Sequence, residues 1–459
     1  MAISMQMVSN NLSDMTTYTN KKNKNSEYLA SLSFAPSESA ILYTAEGKTP
    51  ETKDPFEKFR FNPDFGEGLV DKKRPVTFIL RWNSSHHSTT SSSHPDKPKL
   101  ALVELNSKEN VRFGQVVFSP NSDEIVYATG YEFTVDGRML GLKGCYNRPN
   151  GIWQLTIPAH ALPELGDKLN PTTVIGVISQ KITPASLSCR SPRTFGRQGG
   201  STLAWLACPT GGAHIGASAL YCLDISQHST GNPFILPTAD KPLVPITKDD
   251  IPSSPLHFPG LYPSYNLPSS STIVTLSELT SESVPFIVVH SQWGSRTTVL
   301  LISTKDGKVT DLTPVSEEGL DSWTVLATDG HSRVVCQRSS TSVPYEILLG
   351  NFDDTGHVSW YSIDKPDLPE YSKYTLSQAL IMLSSPSSLV EKALSTIRTS
   401  VVSIPNRYPV ETILIQPKTG ETIPPLITSP HGGPHGTTST AFSPITTALA
   451  LEGCEYTKL

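Results

Sequence analysis

The segment Phe34-Ala-Pro-Ser-Glu-Ser-Ala-Ile-Leu-Tyr43 recurs further along the chain as Phe118-Ser-Pro-Asn-Ser-Asp-Glu-Ile-Val-Tyr127. Phenylalanine, proline, isoleucine and tyrosine occupy the same places in both copies. Each copy places an apolar strand end, a turn rich in proline and small polar residues, and a second apolar strand in that order, which predicts a β-hairpin. The repeat therefore indicates a chain built from repeated hairpins.

Short runs of apolar and β-branched residues continue beyond this repeat and are separated by turn residues such as Asp306-Gly307. They cover residues 202–207, 217–224, 285–290, 296–303, 322–327, 333–337 and 344–349. Repeats of roughly 40 to 50 residues made of short strands are typical of β-propeller blades. The predicted fold class is mainly β, an incomplete β-propeller of about five blades between Tyr28 and Phe352.

Composition supports this fold class and excludes several functions. The chain has 459 residues, including 38 prolines. This share of about 8 % exceeds the usual share of roughly 5 %, and such a proline content disfavours long helices. A formal net charge of −5 argues against nucleic-acid and polybasic membrane binding, because both need clustered Lys and Arg. No apolar run reaches the roughly 20 residues of a membrane span, and residues 1–7 lack the features of a secretory signal. We expect a cytoplasmic protein that binds neither nucleic acid nor membrane.

Few residues outside the C-terminal part are candidates for metal binding or nucleophilic chemistry. His86, His87 and His94 lie in a Ser-rich loop that cannot hold ligands rigidly, so we expect no metal site. His290 and His331 have no serine or cysteine partner placed by sequence, so we expect core or turn residues. The cysteines form no C-x-x-C pair and predict buried, reduced thiols: Cys145, Cys189, Cys208, Cys222, Cys336 and Cys454. The tryptophans predict blade packing: Trp82, Trp153, Trp205, Trp293, Trp323 and Trp360.

The pattern changes beyond Asp367. Residues 374–399 carry helix-like spacing in places, and strands are predicted at 410–417 and 425–430. We therefore divide the chain into a poorly patterned segment (1–27), a propeller domain (28–367) and a C-terminal part (368–459). This last part has strands followed by a helix, which predicts the first elements of an α/β domain.

One motif in the C-terminal part carries chemistry: His431-Gly432-Gly433-Pro434-His435. It follows the predicted strand 425–430 and precedes a helical run, 444–451, that ends near Gly453, a C-cap residue. An α/β-hydrolase uses a His-Gly-Gly loop between strand and helix to supply an oxyanion-hole N–H, because glycine lets the backbone approach a substrate carbonyl. An isolated His-Gly-Gly is more often a simple turn, but the flanking strand, the helix and the upstream propeller favour the hydrolase interpretation.

On these residues the sequence resembles the acylaminoacyl-peptidases, a group of the prolyl oligopeptidase family of serine peptidases. Residues 430–435 look like the oxyanion loop of that family, and residues 410–430 are similar to its link from propeller to hydrolase domain. Residues 29–46, 144–149 and 322–323 are similar to its propeller segments. The resemblance implies a seven-bladed propeller, an α/β-hydrolase domain, and a Ser-Asp-His triad that releases N-acylated amino acids from blocked peptides. It implies no cofactor and no metal.

Carried over by the same resemblance, the Gly433 N–H would be the oxyanion donor and Gly432 would permit its approach. His431 would brace the loop, and Pro434 and His435 would shape the edge of the site. None of the five would be a nucleophile or a general base. N-acylated peptides are the partners that the resemblance implies, while the sequence leaves open whether the chain forms a homo-oligomer.

The sequence departs from the family in one respect. It contains no G-x-S-x-G nucleophile elbow, and the nucleophile, Asp and His should all follow the oxyanion loop. We therefore expect an incomplete, truncated family member that is inactive alone, whether from a truncated gene model, an alternative product or a decayed copy. The alternative is a non-catalytic propeller that binds peptides or a partner protein.

Overall fold

The structure is a computed structural model that describes residues 28–47, 54–56, 59–60, 63–69, 74–83, 99–107, 110–166, 173–197, 200–226, 241–246, 257–268, 273–275, 285–313, 320–353, 356–365, 393–407, 409–417, 425–432 and 437–458. The chain divides into two compact units, Met1–Pro242 and Leu243–Leu459. Each unit is described separately below.

The first unit contains three sheets. Its strands are β1 (Leu32–Phe34), β2 (Ala40–Glu46), β3 (Pro75–Trp82), β4 (Leu100–Asn106), β5 (Val111–Ser119), β6 (Ser122–Glu132), β7 (Asn150–Thr156), β8 (Thr173–Gly176), β9 (Ile178–Lys181), β10 (Leu187–Arg197), β11 (Gly200–Pro209) and β12 (Ala219–Asp224). The sheet orders are β1-β2-β3-β4-β8, β5-β6-β7-β9 and β10-β11-β12. All neighbours are antiparallel except β4 and β8. Short 3-10 helices cover Glu67–Leu69 and Ala159–Ala161.

The two copies of the opening repeat form hairpins, as predicted. In the first copy Phe34 pairs with Ile41, and in the second Phe118 pairs with Val126. The two phenylalanines differ in burial: Phe118 is 3 % exposed and Phe34 is 43 % exposed. Phe118 is buried because β5 lies between β1 and β10. Ser33 Oγ in β1 accepts the Phe118 N–H (3.1 Å), and Thr194 Oγ1 in β10 donates to the Phe118 carbonyl (2.6 Å).

The second unit contains two antiparallel sheets and one mixed sheet. Its strands are β13 (Ile273–Thr275), β14 (Pro285–Trp293), β15 (Arg296–Ser303), β16 (Val309–Asp311), β17 (Ser322–Thr328), β18 (Arg333–Ser340), β19 (Val343–Phe352), β20 (Val358–Asp364), β21 (Ile397–Ser403), β22 (Glu411–Pro417), β23 (Leu426–Ser429) and β24 (Glu455–Lys458). The sheet orders are β13-β14-β15-β16, β17-β18-β19-β20 and β21-β22-β24-β23. Helix α1 (Pro444–Leu451) lies between β23 and β24 in the chain.

The described residues upstream of residue 366 form five sheets of three to five strands, in chain order except that β8 joins the first sheet after β7. Successive small sheets are the construction of propeller blades, and the mainly β fold class is confirmed. Several tryptophans pack within these sheets, as predicted. Trp153, Trp205 and Trp323 are buried, and the ring centroids of Trp323 and Trp360 are 4.8 Å apart.

The mixed sheet is the start of an α/β arrangement. β21 and β22 are antiparallel, β22 and β24 are antiparallel, and β23 and β24 are parallel. Helix α1 connects the two parallel strands and buries Ala450 with Ile397, Ile413 and Ile415. Pro444 occupies the first turn of the helix, where a missing N–H costs nothing. Gly453 follows the C-cap at φ +87°, as its predicted C-terminal role requires.

Two predictions need correction. The helix-like spacing predicted over 374–399 is wrong at residues 397–399, which begin strand β21 and pair with β22; residues 374–392 lie outside the described part of the chain. All six cysteines are free thiols, but burial holds only for Cys189, Cys208 and Cys336; Cys145, Cys222 and Cys454 are partly exposed. In the described part of the chain no helix is long and apolar enough to cross a membrane.

Candidate oxyanion-loop site

The loop that carries the His-Gly-Gly motif begins at the carboxyl end of β23. In open α/β sheets ligands bind beyond the carboxyl ends of the parallel strands. Here β23 is the third strand of its sheet along the chain, and α1 is the first helix that follows it. This is the position from which an α/β-hydrolase contributes one of its oxyanion-hole N–H groups.

Two of the five predicted loop residues lie in the described part of the chain. His431 and Gly432 are both exposed. The His431 Nδ1 lies 3.3 Å from the Gly432 carbonyl oxygen, so an Nδ1–H tautomer would donate to the backbone of its own loop. Gly433, Pro434 and His435 lie outside the described residues. The roles assigned to the five residues remain predictions.

Gly432 has open space on the side where a side chain would project. A Cβ placed on Gly432 meets no described atom within 4 Å, and its φ lies outside the left-handed region. No described residue therefore places a steric demand for glycine at this position. The oxyanion-loop interpretation gives the glycine a use, because a backbone without a side chain can approach a substrate carbonyl.

The downstream end of the loop is fixed. Thr440 is fully buried, and its N–H donates to the Ser295 carbonyl at 2.8 Å. Its Oγ1 lies 3.1 Å from Ser322 Oγ at the start of β17. The sequence did not reveal this contact, because the run Thr437-Thr438-Ser439-Thr440 has the composition of an exposed loop.

His290 has a serine neighbour that the sequence did not predict. Ser264 Oγ lies 3.0 Å from His290 Nε2, while the Val325 N–H donates to His290 Nδ1 at 3.3 Å. An acceptor Nδ1 leaves the ring hydrogen on Nε2, so a neutral His290 donates to Ser264 and cannot take its proton. Burial lowers the pKa of His290 to about 4. His290 is therefore a structural residue, as predicted, and not a general base for Ser264.

The remaining candidates have no reactive geometry either. His331 lies in an exposed turn, where its backbone N–H donates to Asp329 at 2.8 Å. Burial raises the pKa of Cys189 to about 12, which disfavours the nucleophilic thiolate. Among the residues that the structure describes, no group of three metal-ligating side chains comes together. His86, His87 and His94 lie outside the described residues.

The family model of the N-terminal domain of acylamino-acid-releasing enzymes matches residues 23–373. The chain belongs to this family. The match covers the five sheets upstream of residue 366, and the resemblance seen in the sequence is confirmed.

Curated relatives extend the likeness across nearly the whole chain. Acylamino-acid-releasing enzyme 2 of Oryza sativa subsp. japonica is 25 % identical over 93 % of this chain and 55 % of its own length. The Arabidopsis thaliana enzyme is 26 % identical over 86 % of this chain and 47 % of its own length, and the Homo sapiens enzyme is 23 % identical over 90 % and 50 %. The chain spans about half the length of the curated relatives it matches.

A comparison with solved structures finds apo prolyl oligopeptidase B of Galerina marginata, with 11 % sequence identity and a TM-score of 0.46. That match covers 93 % of this chain and 44 % of the other. Dipeptidyl peptidase 4 of Porphyromonas gingivalis is 10 % identical with a TM-score of 0.46, over 93 % of this chain and 48 % of the other.

Proposed function

We propose that this chain carries the propeller blades and the oxyanion loop of a serine exopeptidase that releases N-acylated amino acids from blocked peptides. N-acylated peptides are the proposed substrates. The 459 residues contain no G-x-S-x-G elbow, so we propose that they do not complete a catalytic cycle by themselves. The cytoplasmic location stays a prediction.

The observation that supports the proposal is the position of the glycine pair. His431 and Gly432 follow directly on the parallel strand β23, and α1 then returns the chain to β24. An N–H directed from such a loop stabilises the negative charge on a tetrahedral intermediate. The open space beside Gly432 is compatible with close approach of a substrate carbonyl.

The first experiment uses the purified 459-residue chain and acetyl-alanine p-nitroanilide. We expect no turnover, because nucleophile and acid/base catalysis are lost together, and an oxyanion hole alone leaves only a small residual rate enhancement. Turnover that a serine-directed phosphonate abolishes would overturn the proposal of inactivity. Specific, reversible binding of the acetylated peptide without turnover would favour the alternative of a non-catalytic peptide-binding module.

A second experiment tests the loop itself inside an active enzyme. Residues 430–436 replace the corresponding loop of the Oryza sativa relative, and the graft is assayed with and without Gly433→Pro. Proline has no N–H, so we expect kcat to fall by about 10²- to 10³-fold, the usual effect of losing one oxyanion donor. Gly433→Ala in the same graft is the matched control, because it keeps the N–H. An unchanged kcat for Gly433→Pro would refute the donor role.

A further inference from the structure

We propose that Thr440 is a positioning residue for the oxyanion loop, and that it acts through the strand ends of the two antiparallel sheets of the second unit. The inference rests on the proposed function, because it assigns Thr440 to the support of that same loop. The group of hydroxyl residues that makes this support is here called the hydroxyl seam. It consists of Ser322, Ser339, Thr341, Thr440 and Thr447.

The seam begins at Thr440. Its N–H donates to the carbonyl of Ser295, in the turn between β14 and β15. Its hydroxyl oxygen lies 3.1 Å from Ser322 Oγ. Because Ser322 Oγ accepts the Thr297 N–H at 3.3 Å, the hydrogen of Ser322 is available for Thr440 Oγ1. Thr440 thereby connects the loop end to two sheets at once.

The next residues along the chain extend the seam. Ser339 Oγ accepts the Phe442 N–H at 3.2 Å, and the Tyr345 hydroxyl donates to the Phe442 carbonyl at 3.1 Å. The rings of Tyr345 and Phe442 meet edge to face, 6.2 Å apart. Within α1, Thr447 Oγ1 donates to the Thr341 carbonyl at 2.8 Å. The chain is thus held at three points from the end of the loop into the helix, at Thr440, Phe442 and Thr447.

Burial makes the loss of any of these hydrogen bonds costly. All five seam residues are less than 7 % exposed, so water could not replace a lost hydrogen-bond partner. A buried polar group without a hydrogen bond costs about 1–3 kcal/mol. The seam therefore tolerates one arrangement of residues 440–447 and disfavours others.

The loop depends on its two ends because its first residues are exposed. Upstream, Ser429 of β23 pairs with Lys458 of β24. Downstream, Thr440 is the first fully buried residue after Gly432 in the described part of the chain. His431 and Gly432 are exposed, so we expect the orientation of their backbone amides to depend on where the chain is held before and after them.

The test uses the full 459-residue chain with Thr440→Val, which removes the hydroxyl and retains the backbone N–H. Thr440→Ser restores the hydroxyl, and Thr437→Val is the control on an exposed threonine of the same segment. Glycine-selective ¹⁵N labelling gives the relaxation of the Gly432 amide. Hydrogen exchange gives the protection of the Phe442 N–H, and the Leu300 N–H in β15 reports whether the unit stays folded.

We expect Thr440→Val to lower the heteronuclear NOE of Gly432 and to speed exchange at Phe442 by about tenfold, the equivalent of one buried hydrogen bond. Thr440→Ser should restore both values, and Thr437→Val should leave both unchanged. If Thr440→Val prevents folding, Ser322→Ala removes the same bond from the other side. Ser322→Ala also removes the acceptor of the Thr297 N–H, so the Leu300 N–H is followed in this variant as well to show that the unit stays folded.

An unchanged Gly432 amide in folded Thr440→Val would overturn the positioning role, because a merely structural residue would affect Phe442 alone. An unchanged Gly432 amide in folded Ser322→Ala would also overturn it. The grafted relative distinguishes this failure from failure of the proposed function, because Gly433→Pro tests the oxyanion donor and leaves the seam untouched.

Discussion

His290 gives the second unit a defined response to acid. Its ring joins three segments, since it lies on β14, donates to Ser264 and accepts from the Val325 N–H of β17. The bond from the Val325 N–H needs a neutral ring with its hydrogen on Nε2, the hydrogen that His290 donates to Ser264. Protonation of Nδ1 would remove the acceptor and leave the Val325 N–H without this partner. We therefore expect acid to destabilise this unit through His290.

The magnitude follows from the two pKa values. Burial lowers the pKa of His290 to about 4 in the folded chain, against about 6.5 in an unfolded chain. Between those values the unfolded state binds a proton that the folded state does not, so the free energy of unfolding falls as the pH falls. A difference of about 2.5 units at 1.36 kcal/mol per unit gives a loss of about 3 kcal/mol, complete below about pH 4.

The assay compares wild type with His290→Gln, which does not titrate but can still donate an amide N–H towards Ser264. Urea unfolding gives the free energy of unfolding at pH 7 and at pH 4. The decrease between the two pH values should be about 3 kcal/mol smaller in the variant than in wild type. His331→Gln, on an exposed turn, should behave like wild type. Imidazole NMR reads the ring directly and should show protonated Nε2 at neutral pH. Titration of His290 near pH 6.5, or an Nδ1–H tautomer, would refute the reasoning.

Three further predictions follow from local geometry. Gly453→Ala should lower the free energy of unfolding by about 1 kcal/mol, because φ is +87° at Gly453. Gly432→Ala should leave it unchanged, because no described atom lies within 4 Å of the added Cβ. Thermal unfolding of the two variants tests this difference. Leu220→Ala should cost about 2–5 kcal/mol from a fully buried site, and exposed Leu426→Ala should cost far less by urea unfolding. Cys336, whose pKa burial raises, should resist a thiol reagent in the native chain and react once urea unfolds it.

The regular elements were accessible from sequence because their signals are local. The Phe-Pro-Ile-Tyr repeat predicted two hairpins, and the Asp306-Gly307 turn predicted the β15–β16 connection, both of which the structure contains. Gly453 likewise predicted the end of α1. Strand β21 was missed because its alternation is weak and its stability comes from pairing with β22, a contact between residues distant in sequence.

The site divides in the same way. His431, Gly432 and the family could be identified from a motif of adjacent residues, whose chemistry depends on the order of strand, loop and helix. Thr440 could not, because its hydroxyl-rich neighbourhood resembles a solvent-exposed turn. The Ser264 partner of His290 was equally hidden, since a hydrogen bond between loop and strand leaves no periodic signal.

Sequence alone therefore determined the blade construction, the family and the position of the glycine loop, because turn chemistry and strand alternation are properties of neighbouring residues. Tertiary structure decided which of two equivalent phenylalanines is buried, which nitrogen of His290 carries the hydrogen, and which threonine of a polar run is fixed in a dry seam. Those outcomes depend on desolvation and on partners brought in from other strands, and a residue's immediate neighbours in the chain specify neither.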